Sequence, residues 1–406
     1  GTLNLTEDKQ YKINAFDWQE EFKEAFQDGG FDVVIGNPPY GAGLLDSERL
    51  YLDNKFNVGN TDTAALFLLQ AKTLLNAAGI TGFIIPKAFT YASNWQKIRN
   101  IILPDIKIIA DCGRVWQEVK LEMSICINQK NNKQRSFVYY KRNDETITKF
   151  GSKKRTLCTE FDLMLNGVNE QETAIGLKMK RNNKVLNDFV ENQRGGMFQG
   201  KVSQTGYFAV LGGKQIQRYI VASGIRGKIA KKDVPDDDKI FIKDNAILVQ
   251  NIVAHVMKPY PRIIITACCS GVLKEVNRYV ILDTVNQLQN VSDLSSYYIL
   301  AILNSRLIAW YAYRFIFANA IRTMHFDNQT TAKIPFAVPT QPQHDKLVKL
   351  VERMLELKTR EVNEQNQHTK TMIERQITAL DNDINEVVYA LYDLTEDEIN
   401  VVDGKR

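Results

Sequence analysis

The sequence predicts an α/β sheet domain, then an α+β domain, then a C-terminal helical segment. Three observations carry this. Between residues 31 and 140, apolar runs of strand length alternate with stretches of helical period. Between 181 and 340, short strand-like runs are separated by Gly-containing turns. From Gln343, apolar residues recur every three or four positions. A length of 406 residues allows two or three domains. The expected boundaries are 1–150 for the sheet, 151–180 for a linker, 181–342 for the α+β domain and 343–406 for the helices.

The run at 31–36 (FDVVIG) reads as a buried strand. Residues 63–77 are apolar at helical spacing, and Ala78-Gly79 ends that helix. Residues 81–86 read as a buried strand, 95–103 as a helix and 106–110 as a strand. Residues 123–128 and 136–140 look like a strand pair joined by the polar stretch 129–135, which suggests an antiparallel edge. Residues 141–180 are polar and weakly patterned. Beyond them lie strand-like runs at 240–242, 262–266 and 279–282, a helix at 295–303 and an aromatic stretch at 310–317. Leu347, Leu350, Val351, Met354 and Leu357 form one helical stripe, and Ile373, Ile377, Leu380, Ile384, Val387, Val388 and Leu391 a second. The intervening 358–370 lacks Gly and Pro, so it is expected to continue the helix. Thr395 with Glu398 fits a capping box for a last short helix.

Residues 37–40, Asn-Pro-Pro-Tyr, directly follow the first strand. Open α/β sheets bind ligands at the carboxyl ends of their strands. An exocyclic amine conjugated to a ring, such as adenine N6, is a poor nucleophile because its lone pair is delocalised. Two acceptors that bond both amine hydrogens pull the nitrogen towards tetrahedral geometry and favour the charge that develops there. The Asn37 side-chain oxygen is one acceptor, and the Pro38 carbonyl is the other. Pro38 and Pro39 fix φ and restrict the residues before them, so both oxygens are held still. Tyr40 offers a flat face on which a base can stack. The bland alternative is a proline turn after a strand, since Asn-Pro marks turns in many proteins.

Hydrophobic content of 44% and charged content of 24% are ordinary for a globular protein. No apolar run is long enough to span a bilayer and no signal peptide opens the chain, so no membrane partner is expected. The five cysteines show no metal-ligand spacing, and the four histidines are scattered. A reducing cytoplasm and no metal are therefore expected. The net charge of +5 is unevenly placed. Residues 178–232 hold 12 Lys/Arg against Asp188 and Glu191, whereas 343–406 hold 9 Lys/Arg against 14 acids. A basic block interleaved with glycines and aromatics is the footprint of a nucleic-acid surface, although a solvated face is the commoner meaning of a charge run. Arg194, Lys201, Lys214, Arg218, Arg226 and Lys228 are the candidates for phosphate or guanine contacts.

The strand followed by NPPY resembles the catalytic motif of amino-methyltransferases that use S-adenosylmethionine. Three groups share it: DNA adenine-N6 enzymes, some RNA guanine-N2 enzymes, and glutamine-N5 enzymes acting on release factors. Residues 13–400 look like the carboxyl-terminal part of a type IIG (or BREX-type) restriction-modification DNA adenine-N6 methyltransferase with a TaqI-like target-recognition domain. FDVVIGNPPYG, TGFIIPKAF, VLNDFVENQRGGMFQG, YILAILNSRLIAWY and INEVVYALYDLTEDEI carry the resemblance, most specifically the first and the last.

The resemblance implies a partial Rossmann-like methyltransferase sheet over 1–150 and a target-recognition domain over 181–342. It implies transfer of a methyl group from S-adenosylmethionine to an adenine flipped out of double-stranded DNA. Asn37 and Pro38 would accept from the target amine, Pro39 would stiffen the loop, Asn37 would also face the cofactor, and Tyr40 would stack on the base. Trp116, in Gly113-Arg114-Val115-Trp116, stands in the place of a second aromatic on the opposite face of the base; a core tryptophan is the competing reading. Phe16 matches the aromatic that packs on the cofactor's adenine, with a core role as its competitor. Relatives can carry an acid just before that Phe; here Ala15 stands there, and Asp17 is the candidate substitute.

The family's Gly-rich cofactor loop lies upstream of residue 1, as does a nuclease domain where one exists. The expected partner is therefore the upstream part of the same polypeptide, and this chain alone is expected to be inactive. Pro235-Asp236 followed by Lys239 is too compact for a PD-(D/E)xK nuclease and reads as a turn. Two rival readings remain: a catalytically inactive DNA-binding specificity module, and an RNA or protein amino-methyltransferase.

Overall fold

Six strands make one sheet in the first of two units, residues 1–167 and 168–406, of the computed structural model. The structure describes residues 16–59, 62–116, 118, 121–222, 224–322 and 324–405. The strands are β1 (Phe31–Gly36), β2 (Leu75–Pro86), β3 (Ile106–Gly113), β4 (Met123–Gln129), β5 (Ser136–Asn143) and β6 (Thr146–Lys154). Their order is β1-β2-β4-β3-β5-β6. β1 is parallel to β2, and β3 to β5. β4 runs antiparallel to both β2 and β3, and β6 antiparallel to β5.

Helix α1 (Thr63–Leu74) buries Ala64, Ala65, Leu68, Leu69 and Ala71 in a core shared with Phe83 and Ile85 of β2 and Phe89 beyond it. It ends at Leu74, earlier than the apolar spacing suggests, because Leu75 already pairs with Phe31 of β1. Gly79 lies inside β2, where a Cβ would sit 2.8 Å from the Phe31 carbonyl oxygen. That glycine permits close strand approach rather than a helix stop. Helix α2 (Gln96–Ile102) supplies Arg99, only 2% exposed. Its guanidinium donates to the carbonyls of Phe89 and Ala92 and so holds the turn after β2.

Three expectations change here. β4 and β5 do not pair; β3 lies between them. Neighbours in sequence often pair, but β4 takes the inner slot between β2 and β3, with Ser124, Cys126 and Asn128 buried on one face and Ile125 and Ile127 half-buried on the other. The antiparallel edge is formed instead by β5 and β6. Residues 151–180 are not a linker: they hold the end of β6 and the helices Arg155–Phe161 and Glu170–Met179. β1 is not buried either, with Val33 56% and Ile35 77% exposed. Among the described residues it has one neighbouring strand, β2.

The second unit carries a four-stranded antiparallel sheet built from β7 (Val190–Arg194), β10 (Ile247–Gln250), β11 (Ala267–Cys269) and β13 (Val285–Asn290), ordered β11-β10-β13-β7. A three-stranded sheet joins β8 (Phe208–Leu211), β9 (Gly227–Ile229) and β12 (Tyr279–Ile281), with β8 central. Helices α3 (Ser296–Asn304) and α4 (Arg306–Phe315) follow, and Ser305 caps the second. The tail holds α5 (Gln341–Asn363), α6 (Gln367–Leu391) and α7 (Glu396–Val402). The long helix is interrupted at 364–366, where Asn366 caps α6 by accepting from the amides of His368 and Thr369. The fold class is thus a mixed α/β sheet followed by an α+β unit that ends in helices.

Asn304 joins α3 to β11 through both polar atoms of its side chain, which bond the amide and the carbonyl of Ala267 at 3.1 and 3.0 Å. Asn304→Ala leaves a buried donor and acceptor unpaired. It should cost about 2–4 kcal/mol in urea unfolding of the second unit. A loss under about 0.5 kcal/mol, the range of ordinary surface changes, would mean that water replaces the bonds.

Candidate catalytic loop and nucleic-acid face

β1 ends at Gly36 and hands the chain to Asn37-Pro38-Pro39-Tyr40. Asn37 and Pro39 are exposed, Pro38 is buried, and Tyr40 is half-buried. The loop is tied from one side: the hydroxyl of Thr63, at the start of α1, donates to the Pro39 carbonyl at 2.6 Å. Among the described residues, neither the Asn37 carboxamide nor the Pro38 carbonyl takes a hydrogen-bond partner. The loop is therefore held through Pro39, while the two acceptors the chemistry needs stay available. Gly41, at φ +67°, turns the chain away.

Tyr40 packs against a small buried cluster of Ala110, Cys112 and Met123, and so does the half-buried Trp116. Two rings 76 positions apart in sequence thus rest on one apolar floor at the end of β3 and the start of β4. Tyr40 and Trp116 share that floor, and Asn37 and Pro38 precede Tyr40 in the same loop.

Phe16 and Asp17 are placed differently. The Phe16 ring is 54% exposed and meets Trp18 edge-on at 5.0 Å between centroids. The Asp17 carboxylate accepts from the amides of Gln19 and Glu20 and caps the short helix Trp18–Glu21. The Phe16 ring is thus open to solvent, whereas Asp17 already serves the backbone.

Sequence reasoning missed three charged residues at this sheet end. Lys87 is the first residue after β2 and is 3% exposed. Its ammonium donates to Asp111 Oδ2 at 2.8 Å and Glu122 Oε1 at 3.3 Å. Burial alone would lower its pKa, but Asp111 and Glu122 outweigh burial and hold it above the ordinary lysine value. The one available signal was a lysine directly after an apolar strand.

In the second unit, Arg226, directly before β9, and Lys228, within it, are two positions apart and exposed, while Gly227 and Ile229 are buried, so the two cations lie on one side of this extended run. Lys201 is exposed beside them, in a turn whose Ser203 exchanges two backbone hydrogen bonds with Lys228. Arg194 and Lys214 stand about the turn at 283–284. Arg194 donates to the Asp283 carboxylate at 2.9 Å, and the amide of Gly213, next to Lys214, donates to the Thr284 hydroxyl. Gly195 permits this approach, since a Cβ there would lie 2.4 Å from the Leu282 carbonyl oxygen. Arg218 stands apart from the other five: it is half-buried and donates to Asp381 and to the Asn304 carbonyl. Sequence reasoning also missed the exposed ring of Tyr207, which holds Lys231 at 4.0 Å and Arg278 at 4.7 Å from its centroid.

A cleft of about 400 Å³ in the second unit is lined by Arg218, Arg262, Arg306, Arg314 and Lys405 among others. Four of those cations already pair with Asp381, Asp403 or Glu172, so the cleft is a poor rival to the open face. Among the described residues no group of His, Cys, Asp and Glu could hold a metal ion, and no helix is long and apolar enough to cross a membrane.

A family model described as Eco57I restriction-modification methylase matches residues 2–113. The protein named as a type II restriction enzyme and methyltransferase, RM.MjaORFECS2P, of Methanocaldococcus jannaschii is 24% identical over 94% of this chain and 33% of its own length. The type II methyltransferase M.VspI of a Vibrio species is 24% identical over 33% of this chain and 35% of its own length. The chain therefore spans about a third of either relative. Among solved structures, the type IIL restriction-modification enzyme MmeI in complex with DNA matches 95% of this chain and 57% of its own, at 11% identity and a TM-score of 0.61. The first 113 residues thus resemble that methylase family, and the MmeI match shows a shared fold.

All five described thiols are buried and free, and Cys112 lies in the floor under Tyr40 and Trp116. Burial pushes Cys112 upward, and Cys126 and Cys269 to about 12. The thiolate is the reactive form, so the native protein should resist a disulfide reagent at pH 8 and release its thiols only in denaturant. Fast reaction of Cys112 would show that the floor opens in solution.

Proposed function

We propose that this chain carries the catalytic loop and the DNA reader of a site-specific DNA adenine-N6 methyltransferase of a restriction-modification system. The observation that supports it best is the loop at the end of β1: two unpartnered acceptors, Asn37 and Pro38, beside two aromatic rings on a shared floor. The adenine leaves the duplex first, because its amine is unreachable in the stack. Tyr40 and Trp116 receive the base between their faces, and stacking tolerates its rotation out of the helix. Asn37 and the Pro38 carbonyl then accept the two amine hydrogens and raise the nucleophilicity of N6. S-adenosylmethionine, when bound, supplies an electrophilic methyl group. Phe16 is the residue here that fits its adenine ring. Positioning supplies much of the rate, so no strong general base is required.

The reader is the face bearing Lys201, Arg226 and Lys228, with Arg194 and Lys214 about the neighbouring turn. Arginine there can read guanine bidentately, and lysines fix register on phosphates. Among the described residues β1 has one free edge, which is a seat for a further strand, because unpaired edges invite pairing. The Methanocaldococcus jannaschii relative is about three times as long as this chain. The proposed setting is the reducing interior of a cell, in keeping with buried free thiols.

In the full-length protein, Asn37→Ala should remove labelled methyl transfer to duplex DNA by at least about 100-fold, the scale of losing one preorganised acceptor. DNA affinity should stay within about threefold, roughly 0.6 kcal/mol. Equal loss of both would overturn the catalytic role, and label on RNA or on a protein instead of DNA would favour a rival substrate. For the reader, Arg226→Ala with Lys228→Ala should reduce the slope of log affinity against log salt by about 2. An unchanged slope would move the DNA face elsewhere.

A further inference from the structure

Lys87 grips both ends of the connection that carries Trp116. On one side it holds Asp111, two residues from the end of β3, whose other carboxylate oxygen accepts from the Gly113 amide at 3.1 Å. Gly113 takes φ +57° there, so the connection leaves β3 by a left-handed turn fixed at its base. On the other side Lys87 holds Glu122, directly before β4, twice: through its ammonium and through its own amide, which donates to the Glu122 carbonyl at 2.8 Å. The turn carrying Lys87 is itself braced, since the Thr90 hydroxyl donates to the Lys87 carbonyl and Arg99 holds the carbonyls of Phe89 and Ala92. The grip closes on Met123, the next residue along, which is part of the floor under Tyr40 and Trp116.

The ammonium side chain is 4% exposed and faces two carboxylates, so it has no route to a substrate. Its chemistry also argues against a purely stabilising purpose. A buried cation flanked by two carboxylates loses much of its attraction to desolvation, and apolar residues of the same volume often serve stability as well. What such a group supplies is a fixed arrangement of the backbone segments that carry its partners.

We propose that Lys87 is a positioning residue for the target base: by clasping Asp111 and Glu122 it sets the gap between Tyr40 and Trp116 into which the base stacks. The inference rests on the reading of residues 37–40 as the base-binding loop. A shift of about an ångström at such a gap lowers turnover by up to about 100-fold without removing any contacting group.

The test is a double-mutant cycle in the full-length protein, with methyl transfer to duplex DNA as the readout. Lys87→Met and Trp116→Ala should each lower kcat about 10- to 100-fold, with the KM for DNA changed less than about threefold, because DNA is gripped elsewhere. The double variant should be no more than about threefold worse than the poorer single variant, since both changes disturb one element. Lys87→Arg should recover part of the loss. If Lys87→Met does not fold, Lys87→Met with Asp111→Asn and Glu122→Gln removes all three charges and keeps the volumes. That triple variant should fold and show the same kcat loss. Multiplicative losses in the cycle, or a Lys87→Met enzyme with unchanged kcat, would overturn the positioning role. A wild-type enzyme that methylates no duplex DNA would instead overturn the reading on which it rests.

Discussion

A single buried ammonium fastens the carboxyl end of the first sheet. Lys87 leaves β2, Asp111 belongs to β3, and Glu122 enters β4, so one cation ties three neighbouring strands. The strand order makes this arrangement possible: only with β4 between β2 and β3 do all three ends meet. The ammonium stays charged because its two partners outweigh the cost of burial. Its raised pKa makes its contribution to stability fully present through neutral pH and lost only as pH rises through the folded-state value. At the next strand over, the solution differs. The end of β1 is stiffened by two prolines and one hydroxyl bond to Pro39, which leaves other acceptors open. Satisfied charge on one side and unsatisfied acceptors on the other divide the edge into a support and a working surface.

Much of this site was legible in the sequence because its working part is local. Strand, Asn, two prolines and tyrosine are contiguous, and each has a conformational meaning of its own. That Tyr40 and Trp116 rest on one floor has no local pattern behind it, and only the family resemblance set the two residues beside each other. The support was invisible for a different reason. Lys87 finds its partners 24 and 35 positions away, and a lysine alone in sequence reads as surface. Arg218 shows the same blindness in reverse: it sits in a basic block and reads as a nucleic-acid contact, yet its carboxylate partner lies 163 positions away in α6.

The fold was legible to a similar depth. The α/β alternation and the two helical stripes follow from periodicity and reappear in the structure. What failed was pairing and termination. β4 and β5 are neighbours in sequence with a short polar connection, and nothing in either strand announces that β3 will come between them. The early end of α1 follows from the pairing of Leu75 with Phe31 of β1, which no helix-stop signal encodes. The break at 364–366 arises from side-chain capping by Asn366 rather than from Gly or Pro.

The second unit bears on the choice between an enzyme and a binding module. A module that only grips DNA needs cations facing solvent, and β9 with its neighbouring turn provides them. It does not need a strand end whose acceptors are kept free, nor a buried ion triad at the ends of β2, β3 and β4. An exposed acceptor such as Asn37 is solvated and costs little, while a buried ion group fixes the backbone segments that carry its partners. The division of cations supports the same view. Arg194 is paired with Asp283, whereas Arg226 and Lys228 have no carboxylate partner among the described residues. A paired arginine suits base reading, and cations without such a partner suit phosphate. A reader graded in this way, attached to a loop shaped for an aromatic amine, is better explained by delivery of one base to one pair of acceptors than by binding alone.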